Sequence, residues 1–168
     1  MGWGQPLPKR KGSVYTDEMR RPLTPNETDL VRTIFGATID TAPVTINRAK
    51  WFPFQPRNVA MSPDGHIWLH PQGDLYADDY TLAPLGLRGL FVHEMTHVWQ
   101  HQRGIWLPLA RHPFCRYHYR LTPGWPLARY GLEQQAEIVR HAWLLRQGRT
   151  VPGAPPLAQY DSLLPFHG

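Results

Sequence analysis

The segment His93-Glu94-Met95-Thr96-His97 sets two imidazoles and a carboxylate within five residues. On an α-helix each residue advances by about 100°, so side chains four apart return to within about 40° of one another, one turn along the same face. Both imidazoles can then reach one metal ion. Glu94 is too close to His93 in sequence to ligate comfortably, but it can reach a water in an open coordination position and serve as general base. That is the chemistry of zinc-assisted hydrolysis of a peptide bond.

Such a site needs a third protein ligand. The pattern HExxHxxGxxH would put glycine at position 100 and histidine at 103, but the residues there are Gln100 and Arg103. His101 continues the face of His93 but lies two turns away, about 12 Å along the axis, too far to share an ion; it reads as a surface histidine or a support for the site. The remaining option is a carboxylate from a later helix. Glu133 and Glu137 are the only glutamates after the motif, four residues apart on one helical face, with Ala136 small enough to let helices approach. An exposed Glu face paired with Arg140 or His141 would have the same spacing.

The elements that would position these residues are legible in outline. Around the motif, Leu87, Leu90, Phe91, Met95, Val98 and Trp99 fill more than one face, so a buried helix is expected from about Pro84 to Arg103, with Gly104 as its stop. A second long helix is expected from about Gly131 to Gln147, with Leu132, Ala136, Val139 and Trp143 on one stripe. Earlier, Thr24-Pro25-Asn26-Glu27 forms a capping box with proline at the first helical position, followed by Leu30, Val31, Ile34 and Phe35. Val44–Asn47 alternates like a strand, and two further strands, Asn58–Ser62 and His66–His70, flank the turn Pro63-Asp64-Gly65. The class expected is α+β: a small, mostly antiparallel sheet, a buried HExxH helix and a later helix bearing the third ligand. Domain organisation reads as a mobile N-terminal arm over residues 1–25, a folded domain over 26–148 and a proline-rich tail over 149–168, long enough to cross a cleft.

The segment Glu133-Gln134-Gln135-Ala136-Glu137 resembles the E-x-x-[SA]-D segment of gluzincin peptidases, with Glu in place of the final Asp. That resemblance implies that Glu133 is the third zinc ligand and that Glu137 orients a ligand histidine, as such sites require. The stretch from Leu90 to Gly104, with Tyr117-His118-Tyr119 and Tyr130 to Val139, resembles bacterial Vgr-related proteins. It is also similar to the metallopeptidase-like core domain of contractile injection systems, the likeness spanning roughly residues 59–147. These resemblances imply a zincin-like fold, one Zn2+ per chain, a protein or peptide substrate, and association with a type VI or related contractile secretion machinery.

Other residues are candidates for supporting roles. An oxyanion formed during amide hydrolysis needs a donor. Tyr117, Tyr119, Tyr130, His112 and His118 lie between the two metal-bearing helices, with Tyr117 or Tyr119 preferred. The strand around Ile67-Trp68-Leu69 reads as an edge strand on which extended substrate would pair, with His66 and His70 facing solvent. Trp51, Phe52, Phe54 and Trp106 would line a cleft or anchor loops on the core.

Composition narrows the alternatives. A chain of 168 residues fits one domain, and the lone Cys115 excludes an intramolecular disulfide. No apolar run reaches the roughly 20 residues of a membrane span or forms a signal peptide, so a membrane partner is not expected and the chain reads as cytoplasmic, or exported without a cleavable signal. Lys and Arg number 18 against 13 acids, a net charge of +5. The basic residues are scattered, so a nucleic-acid partner is disfavoured, and it would leave the HExxH unexplained. A non-catalytic, zinc-stabilised accessory module and a hydrolase of non-protein amides are compatible with the same residues.

Overall fold

The computed structural model describes residues 19–105 and 117–166. Strand β1 (Arg20–Pro22) leads into α1 (Pro25–Phe35), a 3-10 turn (Gly36–Thr38), and strands β2 (Thr45–Asn47), β3 (Ala60–Met61) and β4 (Ile67–Leu69). A second 3-10 turn (Tyr80–Leu82) precedes α2 (Leu85–Gln102), and a third (Leu127–Arg129) precedes α3 (Leu132–Arg146) and the short α4 (Leu157–Asp161).

The four strands form one mixed sheet in the order β1-β2-β4-β3. β1 and β2 are antiparallel, β2 and β4 parallel, and β3 and β4 antiparallel with Ala60 opposite Leu69 and Met61 opposite Trp68. The α+β class and the β3–β4 hairpin match expectation, and Gly65 turns the hairpin at φ +84°, where a Cβ would also meet the His101 ring at 2.7 Å. One expectation is corrected: Ile67–Leu69 is an interior strand, and the edge next to the HExxH helix is β3. Alternation along β4 still holds, with Ile67 and Leu69 each 1% exposed and buried against the helices.

α1 starts where its capping box predicted, with the Thr24 hydroxyl accepting from Glu27 N–H and the Glu27 carboxylate accepting from Thr24 N–H. The same carboxylate, 0% exposed, also takes two hydrogen bonds from the Arg21 guanidinium at 2.8 and 2.9 Å and one from Tyr80 N–H. One buried side chain thus ties β1, α1 and the segment before α2. Glu27→Ala would strand these donors, and an equilibrium urea unfolding curve is expected to show a loss of about 3 kcal/mol. An unchanged midpoint would mean that water replaces the carboxylate without cost.

α2 is buried from Phe91 through Gln100 without interruption, as a helix apolar on more than one face must be. It packs most extensively against α3, and Ala136 in the contact is 0% exposed. The structure divides the two terminal segments differently from the sequence reading. Arg20–Pro22 of the supposed arm is paired in the sheet, while residues 1–18 lie outside the described residues. The tail carries α4 and sends Tyr160, Leu164 and Phe166 into the core. Phe166 packs on Phe35 and Trp99, with ring centroids 4.9 and 5.4 Å apart, so the tail joins α1 to α2.

Candidate metal centre

Three buried side chains converge where α2 meets α3: His93 and His97 from α2 and Glu133 from the first turn of α3. The Nε2 atoms of His93 and His97 are 3.2 Å apart, and each is 3.2 Å from Glu133 Oε2. A tetrahedral zinc with ligands at about 2.0–2.1 Å requires neighbouring donor atoms about 3.3 Å apart, so the triangle has the size this ion demands.

The opposite edge of each ring is fixed by an acceptor. His93 Nδ1 lies 2.8 Å from Glu137 Oε1, and His97 Nδ1 lies 2.8 Å from Gln100 Oε1. The Gln100 amide is oriented by donating its Nε2 to Leu132 O and Gln135 Oε1, and Gln135 in turn donates to Tyr130 O. Each ring therefore donates from Nδ1 and presents Nε2 to the triangle, the nitrogen through which a metal would be held. Gln100→Leu removes that acceptor from His97, and a competitive chelator titration is expected to show zinc affinity about 10–100-fold weaker. Affinity equal to wild type would leave the amide chain a purely structural role.

Glu137 is engaged on both oxygens. Besides His93, it accepts from Arg140 at 3.2 Å and faces His141 Nε2 at 3.1 Å. Burial alone would raise its pKa, but His141, His93 and Arg140 together hold it far below the usual carboxylate range. Burial likewise opposes charge on His93, yet Glu133 and Glu137 outweigh it and raise its pKa to about 9. Gly89 makes room for Arg140, whose Nε would lie 3.1 Å from any Cβ there.

Glu94, 4% exposed, projects from the same turn of α2 and accepts a 2.7 Å hydrogen bond from Ser62 Oγ, immediately after β3. The edge strand thus ends on the carboxylate beside the triangle. Of the tyrosines, Tyr117 is 54% exposed, with its ring centroid 6.4 Å from that of His93. The Tyr119 hydroxyl is occupied by His141 Nδ1 at 2.6 Å and the Tyr160 hydroxyl at 2.8 Å. Burial and Tyr160 raise its pKa, so Tyr119 extends the support behind Glu137.

Tyr130 accepts from Thr122 N–H, the His118 carbonyl accepts from Gln134, and His66 pairs with Thr45, all structural bonds. His70 accepts from Gln72 N–H, and His101 packs over Gly65, away from the triangle. His112, Trp106 and Cys115 lie outside the described residues. Ser62 and Gln100 were not found by sequence reasoning, because neither hydrogen bond follows from a motif. A cleft of about 790 Å³ opens beside the centre, between Tyr117, Tyr119, Glu137 and His141 on one side and Val151 to Pro155 of the tail on the other.

The chain superposes on the solved effector domain of Pseudomonas aeruginosa VgrG2b with a TM-score of 0.72 and 35% sequence identity, covering 86% of this chain and 83% of that one. The chain belongs to the VgrG2b effector-domain family. In sequence it is 39% identical over 135 residues to the type VI secretion system spike protein VgrG2b of P. aeruginosa strain PAO1, a match covering 76% of this chain and 13% of the spike protein. It therefore spans only a small part of that VgrG2b protein's length. No protein-family model matches the chain.

Proposed function

We propose that the chain is a zinc-dependent metallopeptidase of the gluzincin type, with a zincin-like fold, that works with a type VI secretion machinery. The observation that carries this reading is the donor triangle of His93, His97 and Glu133, with both Nδ1 atoms held by acceptors and Glu94 beside it. A zinc ion held there would activate water and polarise the scissile carbonyl.

The chain's own residues supply the rest. Glu94 receives the proton of the attacking water on its carboxylate and returns it to the departing amine, while Ser62 fixes the rotamer from which it does so. Exclusion of solvent around Glu94 and the triangle strengthens both interactions. Substrate lies extended along the edge of β3, which is unpaired among the described residues and leads by way of Ser62 to Glu94. Tyr117, whose ring centroid lies 6.4 Å from that of His93, donates to the developing oxyanion.

Kinship with VgrG2b supports the secretion link, and we propose that this machinery carries the chain out of the cytoplasm. The test is elemental analysis of the purified chain together with hydrolysis of a peptide mixture followed by mass spectrometry. One zinc per chain and chelator-sensitive cleavage are expected. Zinc without cleavage would make the chain a zinc-stabilised accessory module, and a chain that cannot be loaded with zinc would end the reading.

A further inference from the structure

The loop between β2 and β3 displays aromatic side chains to solvent in a fixed arrangement. Trp51 is 40% exposed, Phe52 38%, Phe54 88% and Val59 37%. At the centre of the loop Gln55, 3% exposed, accepts from Trp51 N–H at 2.7 Å and donates to Val59 O and Trp68 O. Lys50 closes the turn by donating to Pro53 O. A buried amide that satisfies the loop's backbone from within leaves its aromatic residues outside by construction.

The loop is continuous with the candidate centre. Met61 and Trp68 are register partners and project from the outer face of the sheet, and Trp51 packs on Trp68 with ring centroids 5.4 Å apart. The aromatic surface thus flanks β3, an edge strand among the described residues that runs to Ser62 and Glu94. From Ser62 back to Val59 is three residues, about 10 Å of extended chain. Along the loop the exposed charges are basic: Arg48, Lys50 and Arg57 are exposed, Arg57 donating to Gln72 Oε1 at 2.9 Å, and residues 41–63 contain no acid. The next acid, Asp64, is engaged by Trp68 Nε1 and His66 N–H.

We propose that residues 50–59 form a substrate subsite that selects, in an extended peptide on the β3 edge, aromatic side chains about three residues from the scissile bond in an acidic rather than basic context. The inference rests on the peptidase reading and adds a specificity to it. Strand geometry makes the preference alternate: side chains turned to the outer face meet Trp51, Phe52 and Phe54, and carboxylates two residues along on that same face meet Lys50 and Arg57.

The test is direct binding of two fluorescein-labelled peptides, Phe-Ser-Glu-Ser-Phe-Ser-Glu and Phe-Ser-Lys-Ser-Phe-Ser-Lys, in which aromatic and charged residues share one face of an extended chain, to the zinc-loaded full chain carrying Glu94→Gln, read by fluorescence anisotropy. The acidic peptide is expected to bind at least about tenfold more tightly, and the added pair Phe52→Ser and Phe54→Ser to weaken it by about tenfold without altering zinc content. Arg57→Glu is expected to narrow the gap between the peptides. Equal affinity for both peptides, or undiminished binding by the Phe52/Phe54 variant, overturns the subsite. The outcomes are separable from the parent reading: a chain without zinc or turnover that still prefers the acidic peptide keeps the subsite, and an active enzyme indifferent to the loop loses only the subsite.

Discussion

Glu94→Gln is expected to keep its full complement of zinc while peptide hydrolysis falls by about two to four orders of magnitude. The substitution is nearly isosteric, and the amide oxygen of Gln can still accept from Ser62 Oγ, which now holds Glu94 Oε2 at 2.7 Å. Nothing in the donor triangle changes, because Glu94 is not one of the three residues whose ligand atoms converge. The amide differs in one respect that matters: it cannot take up a proton near neutral pH. Initial rates on a cleaved peptide, measured beside metal content on the same preparation, separate the two effects. Hydrolysis at the wild-type rate would remove Glu94 from the chemistry, and simultaneous loss of zinc would mean that its carboxylate helps hold the metal.

The parts of this site that local sequence could announce are the ones it announced. The HExxH spacing put His93 and His97 on one helical face, and the all-round apolar pattern of Leu85–Gln102 marked that helix as buried. Thr24 and Glu27 marked the start of α1 to the residue. The choice of Glu133 over Glu137 as the member of the triangle came from resemblance, since spacing alone leaves two glutamates on one face, and the structure brings Glu133 to both Nε2 atoms and Glu137 to the Nδ1 of His93.

What stayed hidden depends on distant partners. The bond from Ser62 to Glu94 spans 32 residues and that from Gln100 to Gln135 spans 35, and neither leaves a local trace. Strand β1 is three residues, Arg-Arg-Pro, with no apolar alternation to reveal it, and what fixes it is the meeting of Arg21 with Glu27. In the tail, prolines suggested a loose segment, while Tyr160, Leu164 and Phe166 at irregular spacing reach the core singly from a chain that is mostly irregular. The same segment brings the Tyr160 hydroxyl to Tyr119, ending a series of hydrogen bonds that begins at His93.

Glu133→Ala is expected to abolish tight zinc binding and, with it, the stabilisation that zinc confers. Ligands that bind only the folded state stabilise it by mass action, by about 4 kcal/mol when the free ion is at 1,000 times its dissociation constant. In wild type, thermal unfolding should therefore move to higher temperature as buffered zinc rises and fall back with chelator. Removing Glu133 leaves two imidazoles 3.2 Å apart with no carboxylate between them, and two neutral ligands hold zinc far less firmly than two with an anion. The variant's unfolding should be indifferent to zinc across the range that shifts wild type. Because Glu137 stays in place on His93 Nδ1, the variant separates direct ligation from orientation of the ring. A zinc-dependent shift in Glu133→Ala as large as that of wild type would mean that the third ligand is another residue; a wild type unmoved by zinc would mean that the triangle is held together by its own hydrogen bonds and not by a metal.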